Sequence, residues 1–111
     1  MKVYVSANDI TEAKRVAARL RGLDHEVVST WHDEPNTNDD PSRALRNFFD
    51  IDRADAYVGV VAPEKVAGGK FVEQGYALGK GKKCFLLGAR RENLSSHHPG
   101  FALVLDEQQI V

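Results

Sequence analysis

The run Ala56-Tyr57-Val58-Gly59-Val60-Val61-Ala62 limits the fold more than any other stretch of the chain. A strand with one wet face alternates apolar and polar residues; this one does not. Near-continuous apolar character is what a parallel strand shows when both of its faces are covered. Asp55 precedes it and Pro63 follows it, so it is bounded at both ends. The rest of the chain must therefore supply neighbouring strands and two layers of helix.

It does so in alternation. Val3-Tyr4-Val5 starts a first strand ending near Ser6. Asn8 and Asp9 are helix-start residues, and Asp9 with Glu12 has capping-box spacing. Ile10, Ala13, Val16, Ala17 and Leu20 recur at helical spacing, and Gly22 is a stop signal. Residues 25–30 read as a second strand, followed by a polar, solvated loop over 31–40. Asp40-Pro41 is an N-cap with proline at the first helical position. That helix runs to about Arg53, with Ala44, Leu45, Phe48, Phe49 and Ile51 as its apolar face and Asn47, Asp50 and Asp52 opposite. After the central strand and a loop over 63–69, a helix runs to about Lys80. Lys83-Cys84-Phe85-Leu86-Leu87 is the next strand, residues 89–100 a polar loop, and 101–105 a last strand. Gly75 and Gly79, four apart in the third helix, share a face; close packing on the sheet accounts for both, and a merely weak helix is the other reading.

This pattern predicts an α/β fold: one domain over residues 1–111, doubly wound and flavodoxin-like, with a parallel five-stranded sheet in the order 2-1-3-4-5. Ligands then bind outside the carboxyl ends of the strands, at the switch between the first and third. That selects the loops at 6–9, 31–40, 62–69 and 88–100. Fifteen basic and sixteen acidic residues nearly balance, which argues against a nucleic-acid polymer as partner. No apolar stretch approaches the roughly 20 residues of a membrane span. The short apolar run after Lys2 is not a signal peptide. The lone Cys84 sits in an apolar run, a buried thiol of a reduced, cytoplasmic protein rather than a reactive one. His32 with Asp33, Glu34, Asp39 and Asp40 lacks the paired histidines of a metal site, so no metal and no cofactor is expected.

The stretch Ala67-Gly68-Gly69-Lys70-Phe71-Val72-Glu73-Gln74-Gly75-Tyr76-Ala77-Leu78-Gly79-Lys80 carries the chemistry. It reads as a glycine-bearing loop opening a helix, with Glu73 in the first turn. A helix N-terminus favours negative charge, so Glu73 is expected to stay ionised at neutral pH. It then either complements the helix dipole or acts as a carboxylate nucleophile.

These residues resemble the nucleoside 2-deoxyribosyltransferase family. The resemblance rests on Val3-Tyr4-Val5-Ser6-Ala7, on Asp50-Ile51-Asp52-Arg53-Ala54-Asp55, on Gly68 to Lys80, and on Gly88-Ala89-Arg90-Arg91-Glu92-Asn93 with His97-His98-Pro99. The segments fall in the family's order and nearly span the chain.

The resemblance implies an N-glycosidic enzyme acting on 2′-deoxynucleosides or their 5′-monophosphates. Glu73 matches the nucleophile that holds the glycosyl ester, and Tyr4 the hydroxyl that orients it. Gly68 and Gly69 match the loop that approaches the sugar. Trp31 covers the base, and Ser6, Asn8, Lys70 and Asn93 complete the substrate-binding set. In many relatives an aspartate stands where this chain has Asn47, which cannot donate a proton as an acid. Asp50, one turn on, takes over, or solvent does, or turnover is weak. Asp52 and Asp55 read as structural, and His97 and His98 as loop surface.

Relatives that hydrolyse monophosphates use serines where this chain has Asn8 and Ala67, so the phosphate requirement is open; Lys70, Arg90, Arg91 and the helix start are its candidate ligands. Relatives are homodimers or larger, and residues 106–111 either reach a neighbour's pocket or fray. A nucleotide-sensing module that has lost its chemistry, a nucleoside-monophosphate phosphoribohydrolase and a glutamate-dependent NAD-cleaving domain are the competing classes.

Overall fold

The computed structural model describes residues 1–34, 41–61 and 69–111. Its sheet has five parallel strands: β1 (Lys2–Ser6), β2 (Glu26–Val27), β3 (Ala56–Val60), β4 (Lys83–Leu87) and β5 (Phe101–Val104). Their order is β2-β1-β3-β4-β5, the doubly wound order expected from the sequence. The helices are α1 (Ile10–Gly22), α2 (Pro41–Arg53) and α3 (Gly69–Gly79). Among the described residues, no helix is long and apolar enough to cross a membrane.

Side-chain alternation along the strands splits the core in two. Val3, Val5, Val58, Val60, Phe85 and Leu87 point to the α1 face, where Ala13, Val16 and Leu20 cover them. Tyr4, Tyr57, Cys84, Leu86 and Phe101 point to the other face, under Ile51 of α2 and Ala77 of α3. Cys84 is buried there, its thiol pushed up to about 11 by desolvation. At Gly59, a Cβ would sit 3.0 Å from Gln74 Oε1, so the missing side chain lets α3 lie close over β3.

Several local expectations change. Asp9 caps α1 by accepting from the Thr11 and Glu12 amides, but the box is not closed: Glu12 pairs with Arg15 at 2.6 Å instead. β2 stops at Val27, short of the expected 25–30. Beyond it, Val5 finds side-chain partners: its N–H donates to Ser29 Oγ (3.1 Å) and its carbonyl accepts from Trp31 Nε1 (2.8 Å). Ser29 Oγ is also 2.8 Å from His32 Nε2, so His32 is buried rather than part of a solvated loop. Asp40, the expected cap of α2, lies outside the described residues.

The face of α2 is also different. Leu45 and Phe49 are 72% and 54% exposed, whereas Asp50 and Ile51 are fully buried. Most of the C-terminal segment is anchored on the α1 side, with Val111 left exposed. Asp106 caps a short 3₁₀ turn (Glu107–Gln109) with a closed capping box, Glu107 pairs with Arg15 and Arg19, and Ile110 enters the α1-side core.

Gly75 and Gly79 do not pack on the sheet. Both are exposed, and a Cβ at either meets nothing within 4 Å. The weak-helix reading therefore holds for this pair. Gly75→Ala is expected to stabilise the protein by about 0.5–1 kcal/mol, because alanine loses less backbone freedom in a helix interior. Urea unfolding measures this; a destabilised variant would mean that the position needs glycine for another reason.

Candidate functional site

The strand order puts β1 and β3 side by side with Tyr4 opposite Tyr57. Both rings face α2 and α3 and stack with centroids 6.1 Å apart and planes 12° from parallel. Glu73 descends onto them from α3. Its Oε1 accepts from the Tyr4 hydroxyl at 3.2 Å and from Ser6 Oγ at 3.0 Å. Its Oε2 accepts from Asn47 Nδ2 of α2 at 3.4 Å. Three elements far apart in sequence thus converge on one carboxylate at the carboxyl end of β1.

Glu73 is the fifth residue of α3, and the first turn carries no acid. The dipole argument for an ionised Glu73 therefore loses its position. Burial pushes the carboxyl above its usual range, and the donors Ser6, Tyr4 and Asn47 draw it part of the way back. Tyr4 is fully buried, and desolvation together with the adjacent Glu73 drives its phenol far above the ordinary range. It stays a neutral donor at every working pH.

The two carboxylate oxygens are not equivalent. Oε1 is held by two hydroxyls, while Oε2 has one longer amide contact and so keeps the more available lone pairs. Asn47 Oδ1 is buried with no hydrogen-bond partner among the described residues. Facing a carboxylate, the amide must turn Nδ2 toward Oε2, which leaves its acceptor unused. An orphaned buried acceptor costs about 1–3 kcal/mol, a cost that a bound ligand donor would remove.

The other expected site residues divide. Trp31 is half-buried at the end of β1, its indole N–H fixed on Val5. Asp50 accepts from Thr30 Oγ1 (2.8 Å) and Arg46 Nε (3.4 Å) one turn beyond Asn47. Asp52 accepts from the Tyr76 hydroxyl and Asp55 from the Lys2 amide, both structural uses. Asn8 is exposed in the bend after β1, and Gly69 is exposed at the start of α3. Gly68 and Ala67 lie outside the described residues. Asn93 caps the 3₁₀ turn Leu94–His97, its Oδ1 accepting from Ser95 Oγ, Ser96 Oγ and the Ser96 amide. Lys70 is buried, donating to the Val60 carbonyl at 2.6 Å and pairing with Glu92. Tyr57 and Glu92 are not among the site residues that the sequence predicts. Tyr57 was recoverable, since pairing the first and third strands sets it beside Tyr4; Glu92 sits in a loop without periodicity and gives no such signal.

No protein-family model and no curated protein sequence matches the chain. Solved structures do. A 2-deoxyribosyltransferase from the psychrotolerant bacterium Bacillus psychrosaccharolyticus superposes with a TM-score of 0.72 at 20% identity, covering 99% of this chain and 90% of that one. A CMP N-glycosidase from Clostridium botulinum superposes with a TM-score of 0.65 at 19% identity, covering 99% of this chain and 94% of that one. At these identities what is shared is the fold, over nearly the full length of each chain.

Proposed function

We propose that this chain is an N-glycosidic-bond enzyme of the nucleoside 2-deoxyribosyltransferase kind, acting on 2′-deoxynucleosides or their 5′-monophosphates. The observation that carries the reading is the Glu73 carboxylate, anchored through Oε1 by Tyr4 and Ser6 with Oε2 less encumbered. The likeness in fold to a deoxyribosyltransferase and an N-glycosidase supports it.

In the first step Oε2 attacks C1′ and the C1′–N bond breaks, its electron pair passing to the base nitrogen, which takes up a proton. The sugar is then held as a Glu73 ester. In the second step a nitrogen of another base, or a water oxygen, attacks C1′ from the opposite face, gives up its proton to solvent and frees the carboxylate. Two inversions give retention. The fixed hydroxyls of Tyr4 and Ser6 aim the carboxylate without any reorganisation at the moment of attack. Asn47 steadies Oε2 and offers Oδ1 to a donor on the substrate. Trp31 supplies an aromatic wall, and Gly69 an unobstructed approach at the start of α3.

Asn47 also favours a second reading, a nucleotide-sensing module with weakened chemistry, because an amide cannot protonate the leaving base. Incubation with each deoxynucleoside and monophosphate, with and without an acceptor base, followed by chromatography, separates the two. Base release, with a new nucleoside when acceptor is present, is the expected result. Binding without release over hours selects the sensing module, and neither binding nor release removes both.

The α2–α3 surface supports a homodimer. Phe48 and Tyr76 rings meet at 4.4 Å between the helices. One turn earlier, Leu45 and Val72 (62% exposed) lie open, with Phe49 beside them. A second copy of this chain would cover that apolar strip. Leu45→Glu with Phe49→Glu is expected to shift the protein to monomer in light scattering at micromolar concentration; an unchanged mass for a folded double variant would remove this face as the interface.

A further inference from the structure

The first three crossovers of the sheet each carry a helix of 11–13 residues. The fourth, from β4 to β5, carries only the four-residue 3₁₀ turn Leu94–His97. That turn covers less of the sheet than a helix would, and a cavity of about 380 Å³ lies between it and α3. Phe71, Gln74 and Leu78 of α3 line it, with Leu94 and His98 at the two ends of the turn and Phe101 of β5. The volume is that of a small-ligand site. Glu73 serves the other flank of α3: its partners belong to β1 and α2, and β3 and β4 stand between β1 and β5.

Gln74 is the informative wall residue. It is 2% exposed, and its Oε1 has no hydrogen-bond partner among the described residues. The oxygen lies over Gly59, among carbon atoms of Tyr57 and Leu86. A leucine would fill that space without the cost of a buried, unmet acceptor. The terminal torsion of a glutamine is soft, and no hydrogen bond holds this oxygen, so it can turn from Gly59 into the cavity to meet a donor. The other walls suit a flat ring: His98 and Phe101 meet edge to face with centroids 6.3 Å apart, and Phe71 adds a third ring. Among the described residues no carboxylate, lysine or arginine lines the cavity, so a charged ligand would be buried without a counter-charge. Independently of the Glu73 reading, we infer that this cavity is a second ligand site, for a neutral planar heterocycle that donates a ring N–H to Gln74 Oε1.

The test uses indole and benzofuran, which share size and shape and differ in the N–H. By calorimetry the wild type is expected to bind indole about tenfold tighter or more, the scale on which one buried acceptor left unmet is felt. The amide resonances that indole shifts most should be those of Gln74, Ser95 and Phe101. Gln74→Leu is expected to bind the two probes alike and to melt a few degrees above the wild type, because the unmet acceptor is gone. If that variant does not fold, the wild-type pair and the shifted resonances still decide. The inference is overturned if the wild type binds both probes equally or neither, if a folded Gln74→Leu keeps the preference for indole, or if the shifts centre on Tyr4, Ser6 and Asn47. Base release enters none of these measurements, so their failure leaves the Glu73 reading standing, and its failure leaves them intact.

Discussion

Glu73→Ala is expected to abolish base release, with a loss on the order of 10⁴- to 10⁶-fold in kcat/KM, the scale on which removal of a covalent nucleophile is felt. Its circular dichroism should match that of the wild type, since the carboxylate is a cost to the fold rather than a support. The folded state holds the Glu73 proton more tightly than the unfolded chain does, because burial lifts the carboxyl above its ordinary 4.5. That contribution to stability is fully present below the unfolded value and is lost as pH rises through the folded one. The neutral Glu73→Gln should therefore melt a few degrees above the wild type at pH 7, and the gap should close toward pH 4. Activity should follow the opposite course, because only the ionised carboxylate attacks; the acidic limb of kcat/KM is expected to centre above 4.5. Equal rates for Glu73→Ala and wild type would eliminate the nucleophile.

The second large effect belongs to Asn47→Asp. The amide nitrogen is 3.4 Å from Glu73 Oε2. A carboxyl in its place would share one proton with Glu73 across that gap, since two adjacent carboxylates resist ionising together. The protonated partner is then a general acid for the departing base. Turnover is expected to rise by about 10²-fold at the optimum, and the pH profile should become bell-shaped with limbs that belong to the pair. An unchanged rate with a one-limbed profile would mean that the proton arrives from elsewhere and that Asn47 only steadies Oε2.

The fold was legible because its signals are periodic. The apolar run at 56–62 required a covered parallel strand, and alternation set the sheet order that the structure has. The carboxylate cluster was legible through resemblance, with Glu73 and Tyr4 as a pair and Asn47 as the departure. What escaped was determined by tertiary partners. The apolar character of Leu45 and Phe49 points them inward, yet the inward side of α2 holds Asn47 and Asp50, which find Glu73, Thr30 and Arg46 there. The Lys70–Glu92 pair joins a helix start to an aperiodic loop, and no local pattern announces it. The spacing of Gly75 and Gly79 suggests a packing role as readily as a weak helix, and their open surroundings favour the second.

The handling of Val5 has a consequence for how such a pocket can diversify. Where a second strand would normally dictate spacing residue by residue, two side chains, Ser29 and Trp31, satisfy the Val5 amide and carbonyl. The segment after Val28, whose N–H still donates to the Val3 carbonyl, is thereby released from the sheet's repeat and can vary between and beyond its two anchors at Ser29 and Trp31. One rim of the cleft is interchangeable upholstery on a fixed frame, and new ligand preferences can be installed there while Tyr4 and Ser6 keep their aim.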